Sequence, residues 1–311
     1  MNIVFMGTPD FAVPSLKALV EAGHAVKAVF TQPDKPKGRG MKLTPSPVKE
    51  YALTRGIEVF QPQSLKRETE TVTPLIKSFE PDCIVVVAYG KILPPEVLEI
   101  PRLGCVNVHG SLLPKYRGAA PIQWTVINGD EYGGITTMLM AEGMDTGDML
   151  LKKPVKVEKN ETSSEYYDRL SFVGADLLIE TLEKLEAGEI TPISQNDNEA
   201  TLAPMLSKEM SPTDFTKSAK EVYSHINGLS DWPCASVVLA GKKLKIYRAE
   251  IVSETGNNTP GAVIEPGTFT VACGEGSVRL LEVQAEGSRR MTAQDYLRGH
   301  PIEKGTILSS R

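Results

Sequence analysis

Along the first 140 positions of this 311-residue chain, apolar residues fall into short unbroken runs separated by amphipathic stretches. The runs at 3–6 and 83–88 are short and apolar throughout, that at 25–30 is broken only by Lys27, and that at 105–109 is a short run interrupted by Asn107 and His109. They read as strands covered on both faces of a parallel sheet. Helical spacing marks 11–21, 48–55, 68–79 and 120–128, with one helical turn at 95–99. Further strands are expected at 58–60, 135–140 and 149–157. Over 161–187 apolar residues recur with a 3.6-residue period (Tyr167, Leu170, Val173, Gly174, Leu177, Leu178, Leu182, Leu185), and Gly188 supplies the stop. Strand, glycine turn, helix and strand in that order open a doubly wound α/β sheet.

The pattern then changes. Residues 191–205 are polar and proline-marked and read as a connector. After a helix at 219–227 come five short β segments: 236–239, 244–250, 261–264, 269–272 and 278–283. Gly or Asn clusters separate them, which fits a small barrel of the OB type. The expected organisation is a first domain over 1–188, a linker over 189–206 and a second domain over 207–311.

Composition narrows the picture. The longest strongly apolar stretch, 83–88, is far short of the ~18 residues of a spanning helix. The N-terminus lacks the basic flank and long apolar region of a secretory signal. Four cysteines without a CxxC pair read as reduced thiols, so a cytoplasmic protein without a zinc site is expected. Gly7 alone is not the GxGxxG fingerprint of a dinucleotide site.

The net charge of −5 argues against a protein that coats nucleic acid non-specifically. Charge is unevenly distributed, however. The segment TQPDKPKGRGMKLTPSPV at 31–48 is expected to be a long loop, and with Lys49 it carries Lys35, Lys37, Arg39 and Lys42 against one acid, Asp34. Such a loop suits local contact with an anion or simple solvation. In the second domain, strand phase puts Lys243, Lys245 and Tyr247 on one face. That face fits nucleic acid or the protection of a sheet edge. Trp124 and Trp232 read as packing residues.

Candidate chemistry sits at the end of the strand 105–109. Side chains two apart share a face, so Asn107 and His109 aim together while Val106 and Val108 point away. Ligands in parallel sheets bind beyond strand carboxyl ends, and this is such an end. A glycine-bracketed loop over 143–148 follows the strand 135–140 and can bring Asp145 to the same edge. An amide donor, a proton carrier and a carboxylate are then available together, although each also has an ordinary structural use. No G-x-S-x-G, HExxH or P-loop lysine motif is present, and His109 has no partner at metal-ligand spacing.

The run NVHGSLLPKYRGAAPIQW at 107–124, with MDTGD at 144–148, resembles the signature of the folate-dependent formyltransferases. The opening VFMGTPDFAVPSL, the loop at 31–49 and the strand VVVAYGKILP extend the similarity over essentially the whole chain. The resemblance implies a Rossmann-like formyltransferase domain followed by an OB-like barrel. It implies transfer of a formyl group from 10-formyltetrahydrofolate to the α-amino nitrogen of methionine on initiator tRNA, without a metal or a membrane, by a monomer. Asn107, His109 and Asp145 correspond to the family's catalytic trio, and Ser111, Leu112, Leu113 and Pro114 to its folate-binding stretch. The resemblance also turns Lys35, Lys37, Arg39 and Lys42, and with them Lys243 and Lys245, toward tRNA contact. Rival readings are a formyltransferase for an amino sugar nucleotide, a formyl-folate hydrolase, and a non-catalytic tRNA-binding protein on the same scaffold.

Overall fold

The apolar runs form one sheet. In this computed structural model, which describes residues 1–37 and 41–310, the chain begins with β1 (Asn2–Gly7), α1 (Val13–Glu21) and β2 (Ala25–Phe30). A hairpin of β3 (Lys35–Lys37) and β4 (Lys42–Thr44) follows, then α2 (Pro47–Thr54), β5 (Val59–Phe60), α3 (Thr69–Ser78), β6 (Cys83–Val87), the single turn α4 (Pro95–Leu98) and β7 (Cys105–His109). Next come β8 (Arg117–Gly118), α5 (Pro121–Ile127), β9 (Tyr132–Leu139), β10 (Met149–Lys156) and α6 (Ser163–Glu186).

The sheet has the order β10-β9-β7-β6-β1-β2-β5. β1, β2, β5, β6 and β7 are parallel, and β9 runs antiparallel to β7. From β1 the chain winds outward to β2 and β5. It then returns to the other side of β1 through β6 and β7, which places a topological switch point between β1 and β6. Beyond it, the loops after β1, β2 and β6 are tied together. Thr8 Oγ1 donates to Tyr89 O at 3.1 Å, and Gln32 Nε2 donates to the same carbonyl at 3.0 Å. One face of the sheet packs Val4, Met6, Phe30, Ile84 and Val86 against Val72, Ile76 and Val97 of α3 and α4. Burying such side chains contributes about 1.5–3 kcal/mol each.

The pattern predicts an unstructured loop over 31–48, but its described part is the β3–β4 hairpin, which pairs Lys35 with Thr44 and Pro36 with Leu43. Three-residue strands, KPK and KLT, are too short to show alternation and are rich in residues that strands disfavour, so the pattern does not announce them.

The chain forms two compact units that follow packing rather than chain order. The first comprises Met1–Gly118, Gly134–Val155 and Asp168–Leu202, and the second Ala119–Gly133, Lys156–Tyr167 and Ala203–Arg311. Within the second unit α5 lies close against α7 (Ala219–Gly228): a Cβ on Gly228 would stand 2.7 Å from Ile127 N. That close approach accounts for the segment around α5 leaving the first unit. β11 (Leu202–Ala203) lies within the expected linker, ahead of α7.

The second unit then adds β12 (Ala235–Leu239), β13 (Lys242–Ser253), β14 (Val263–Glu265), β15 (Thr270–Ala272), β16 (Ser277–Ala285), β17 (Met291–Thr292) and α8 (Ala293–Gly299). The strands order as β12-β13-β16-β15-β14, with β17 on β16, and each of these strands runs antiparallel to its neighbour. The chain after α8 joins the two outer strands. Ser309 pairs with Val238 on β12, and Ile307 pairs with Ala262 just before β14. Val238 N donates to Ser309 O at 2.8 Å and Val263 N to Thr306 O at 2.8 Å, while Leu308 is buried in the core.

Among the described residues no helix is long and apolar enough to cross a membrane. Cys83, Cys105, Cys234 and Cys273 are free and buried. Burial pushes the thiols of Cys83 and Cys273 up to about 12 and raises the other two, so none is poised as a thiolate nucleophile. Trp232 departs from the packing reading and is 52% exposed. The turn that carries it into β12 fills the core with Leu229 and Cys234 instead. Trp124 is half-buried against Ala120, Leu206 and Leu229, and its Nε1 donates to Pro204 O at 2.8 Å.

Candidate active site

β7 is buried along its length between β6 and β9. Val108 packs toward α6, where a Cβ on Gly174 would lie 3.0 Å from Val108 Cγ1. A glycine there lets the helix approach the sheet. Asn107 and His109 therefore point to the opposite face. They are 9% and 5% exposed, so both meet solvent only through a narrow opening. Among the described residues the Asn107 carboxamide has no hydrogen-bond partner, which leaves its donors available to a ligand.

His109 lies between two acceptors. Its Nε2 is 3.0 Å from Tyr116 O, so Nε2–H donates to that carbonyl. Its Nδ1 is 3.6 Å from Asp145 Oδ1, too long for a hydrogen bond but close enough for direct charge interaction. In the neutral ring Nδ1 is thus the unprotonated nitrogen, and it faces the Asp145 carboxylate.

The route that brings Asp145 here differs from a simple loop at a strand's carboxyl end. β9 is antiparallel to β7: Leu139 lies opposite Val106, and Thr136 lies opposite His109. The loop after β9 starts at the far end from His109 and doubles back. Gly147 makes this possible, since a Cβ there would sit 1.8 Å from Leu139 O. Asp145 itself has φ +53° and Tyr116 has φ +62°, left-handed conformations that the surroundings must hold.

Those surroundings are hydrogen bonds that the sequence reading missed. Gly118 N donates to Asp145 Oδ2 at 2.9 Å. Gln195 Nε2 donates to Asp145 O and to Gly147 O, both at 2.8 Å. Arg117 Nε donates to Gln195 Oε1 at 3.0 Å, and Arg117 Nη2 to Asp197 Oδ1 at 2.8 Å. Tyr116 N donates to Thr201 Oγ1 at 2.9 Å, which fixes the carbonyl that His109 binds. Residues 195–201 lie in the expected linker, yet they hold both the Asp145 loop and the Tyr116 turn. Polar residues in a stretch without periodicity give no signal of such a role.

The stretch 111–114 adjoins His109, but its polar backbone is already engaged. Ser111 O accepts from Thr136 Oγ1 at 2.7 Å, Leu112 O from Lys115 N at 3.2 Å, and Pro114 O from Thr201 N at 3.4 Å. Leu113 O accepts from Lys152 Nζ, whose ammonium burial pushes below its usual range. Ser111 is fully buried, and Leu113 packs with Met138 and Met149. What this turn can offer a ligand is a stiff wall with Leu112 and Pro114 half-buried.

Of the basic residues singled out, Lys35 is exposed and donates to Gln32 Oε1 at 2.8 Å. Arg39 lies outside the described residues, and Lys37 and Lys42 are described as hairpin backbone only. Asp34, the acid of that segment, is bound by Lys49 Nζ at 2.8 Å and by Gln61 Nε2 at 2.8 Å, which hold its carboxyl below the usual range. It is therefore committed to Lys49 and Gln61. In the second unit Lys243 is exposed and Lys245 half-buried, while Leu244 and Ile246 enter the core. Tyr247 is capped by Arg290 at 4.3 Å. No group of three or more potential metal ligands occurs among the described residues.

Comparison with known proteins gives a consistent result. The family model described as "Formyl transferase" matches residues 1–182, and "Formyl transferase, C-terminal domain" matches residues 205–301. Methionyl-tRNA formyltransferase of Caldanaerobacter subterraneus subsp. tengcongensis is 53% identical over 309 residues, covering 99% of this chain and 100% of that protein. The protein of the same name from Clostridium novyi is 50% identical over 310 residues, with 99% and 100% covered. Among solved structures, the sugar 3N-formyl transferase WlaRD, with dTDP and 5-N-formyl-THF, aligns over 93% of this chain and 99% of its own at a TM-score of 0.70 and 16% identity. HypX from Aquifex aeolicus, in complex with tetrahydrofolic acid, aligns over 95% of this chain and 46% of its own at a TM-score of 0.64 and 18% identity. At such identities the two structures speak for the fold.

Proposed function

This chain belongs to the formyl transferase family, and from that premise we propose that it formylates methionyl-tRNA, moving the formyl group of 10-formyltetrahydrofolate to the α-amino nitrogen of methionine on initiator tRNA. The relatives matched over their full length are named methionyl-tRNA formyltransferase. The observation that supports the mechanism is the meeting of His109 Nδ1 and Asp145 Oδ1 at 3.6 Å beside an uncommitted Asn107 amide. The site residues suit a folate donor: the Asn107 amide is free to donate to a formyl oxygen, and the 111–114 turn with Leu112 and Pro114 offers a flat ring an apolar wall.

The bound donor supplies a formyl carbon carried on nitrogen. Transfer to an amine develops negative charge on the formyl oxygen and releases a proton from the attacking nitrogen. The Asn107 amide donates to that oxygen; one such donor typically contributes about 2.7–4 kcal/mol. His109 Nδ1 takes up the proton and hands it to the donor's nitrogen as the bond from that nitrogen to the formyl carbon breaks, and Asp145 stabilises the charged ring in between. Tyr116 O keeps the other ring nitrogen protonated and so fixes which nitrogen acts. Lys35, Lys37, Arg39 and Lys42, with Lys243 and Lys245, supply cations for tRNA phosphates. The reaction belongs to the cytoplasm, with translation.

The test is initial-rate formylation of methionyl-tRNA, with an amino sugar nucleotide as competing acceptor. Asn107→Ala and His109→Ala should each lower kcat about 10²–10³-fold while tRNA affinity stays near wild type. Failure of the wild-type chain to make formyl-methionyl-tRNA from competent substrates, or preference for the sugar, would overturn the proposal.

A further inference from the structure

In the second unit, a cavity of about 620 Å³ opens between three pieces of chain: the β12–β13 turn at 239–244, the end of β16 at 285–288, and the segment 296–306. That volume is typical of ligand sites. One wall ends in an aromatic stack. Phe269 in the core lies 6.2 Å from Tyr296 with planes 9° apart, and Tyr296 lies 4.4 Å from His300 with planes 6° apart. His300 Nδ1 donates to Tyr296 O at 3.1 Å, which locks the ring against the stack. The first two rings are buried and His300 is exposed. The column is thus rigid, and its last ring can present its other face to a further flat group.

The charges around this cavity are of both signs. Lys242 and Lys243 stand on the turn, Glu286 beyond β16 and Glu303 on the segment after α8. Among the described residues none of these four is ion-paired. Cations and carboxylates that share a cavity without pairing suit a ligand that brings its own anion and its own donors. A ring to cover His300 narrows the choice to a nucleotide.

We propose that this cavity is a nucleotide subsite: a base stacks on His300, its phosphate lies with Lys242 and Lys243, and a carboxylate accepts from the base's amino group. Cytosine, adenine and guanine carry that amino group and uracil does not, so the carboxylates discriminate against uridine. The nucleotide is either an exposed residue of RNA or a free mononucleotide. The RNA source extends the functional reading above and rests on it.

The experiment measures equilibrium binding of the full chain to uncharged initiator tRNA, to cytidine and uridine hexanucleotides, and to CMP, at one fixed salt concentration. It compares wild type with His300→Ala and His300→Phe. Loss of one base–aromatic stack should weaken binding roughly five- to 150-fold in His300→Ala, and His300→Phe, which keeps a ring on the column, should restore most of it. Weakening for tRNA and the cytidine hexamer assigns the subsite to RNA; weakening for CMP alone assigns it to free nucleotides. Unchanged binding of all four ligands in His300→Ala overturns the subsite, and equal affinity for uridine and cytidine hexamers overturns the carboxylate selection. Formyl transfer plays no part in the readout, so a failure here is separate from a failure of the catalytic reading.

Discussion

Gln195→Ala is the substitution that separates holding the carboxylate from being the carboxylate. Gln195 donates to Asp145 O and Gly147 O and accepts from Arg117 Nε. Each neutral bond contributes about 1 kcal/mol and the one to the guanidinium about 1.5–3 kcal/mol. Gln195 is half-buried, so water takes over part of this, and the expected loss of stability is about 1–3 kcal/mol. The kinetic effect should be larger than that suggests. Asp145 sits at φ +53° on a loop that doubles back, and without the Gln195 clamp its carboxylate drifts from His109. A misplacement on the order of 1 Å costs about 10²-fold in rate, or ~2.7 kcal/mol of barrier. The assay is a double-mutant cycle on kcat for formylation: wild type, Gln195→Ala, Asp145→Ala and the pair. If Gln195 acts through Asp145, its removal lowers kcat about 10²-fold in wild type and adds little when Asp145 is already gone. Equal effects in both backgrounds would refute the argument, as would wild-type turnover in Gln195→Ala.

Other expectations follow from single contacts. Gly147→Ala must push against Leu139 O and should leave a folded protein with kcat reduced at least tenfold, measured beside a thermal melt; unchanged kcat would mean that the return limb of the loop is not tightly set. His225 is held below the ordinary histidine value of 6.5, chiefly by burial. The unfolded chain therefore takes the proton first, and stability should decline as pH falls below about 6.5 toward the folded value. His225→Gln should flatten that decline in melts between about pH 7.5 and 5. Arg39→Ala should weaken productive tRNA use and shallow its salt dependence while folate binding changes little; loss of folate binding would show that the basic segment meets the donor instead.

The legible parts of this protein were those with short-range periodicity. β1 and β6 announced themselves as apolar runs because both faces of their sheet are covered, and α6 as a stripe because only one of its faces is. Asn107 and His109 could be placed on one face because strand phase is local. The β3–β4 hairpin was not legible, since its pairing depends on a partner strand and not on its own composition. The reversal of β9 was equally hidden, because direction is set by connections that no hydropathy pattern records. Gln195 and Thr201 stood in a polar stretch whose function arises only when it meets residues about 50 to 85 positions away. Trp232 was misread because size predicts burial on average and the turn beside it had other side chains for the core.

The segment 306–309 stitches together β12 and the start of β14, and it follows in sequence every strand it joins. During synthesis the second unit must therefore wait, its two outermost strands bare, until residues 306–309 have emerged from the ribosome. A nonsense codon a few positions upstream of residue 306 would leave both rims as open templates for other chains. The cost of losing that segment would be counted in aggregates rather than in slower enzyme.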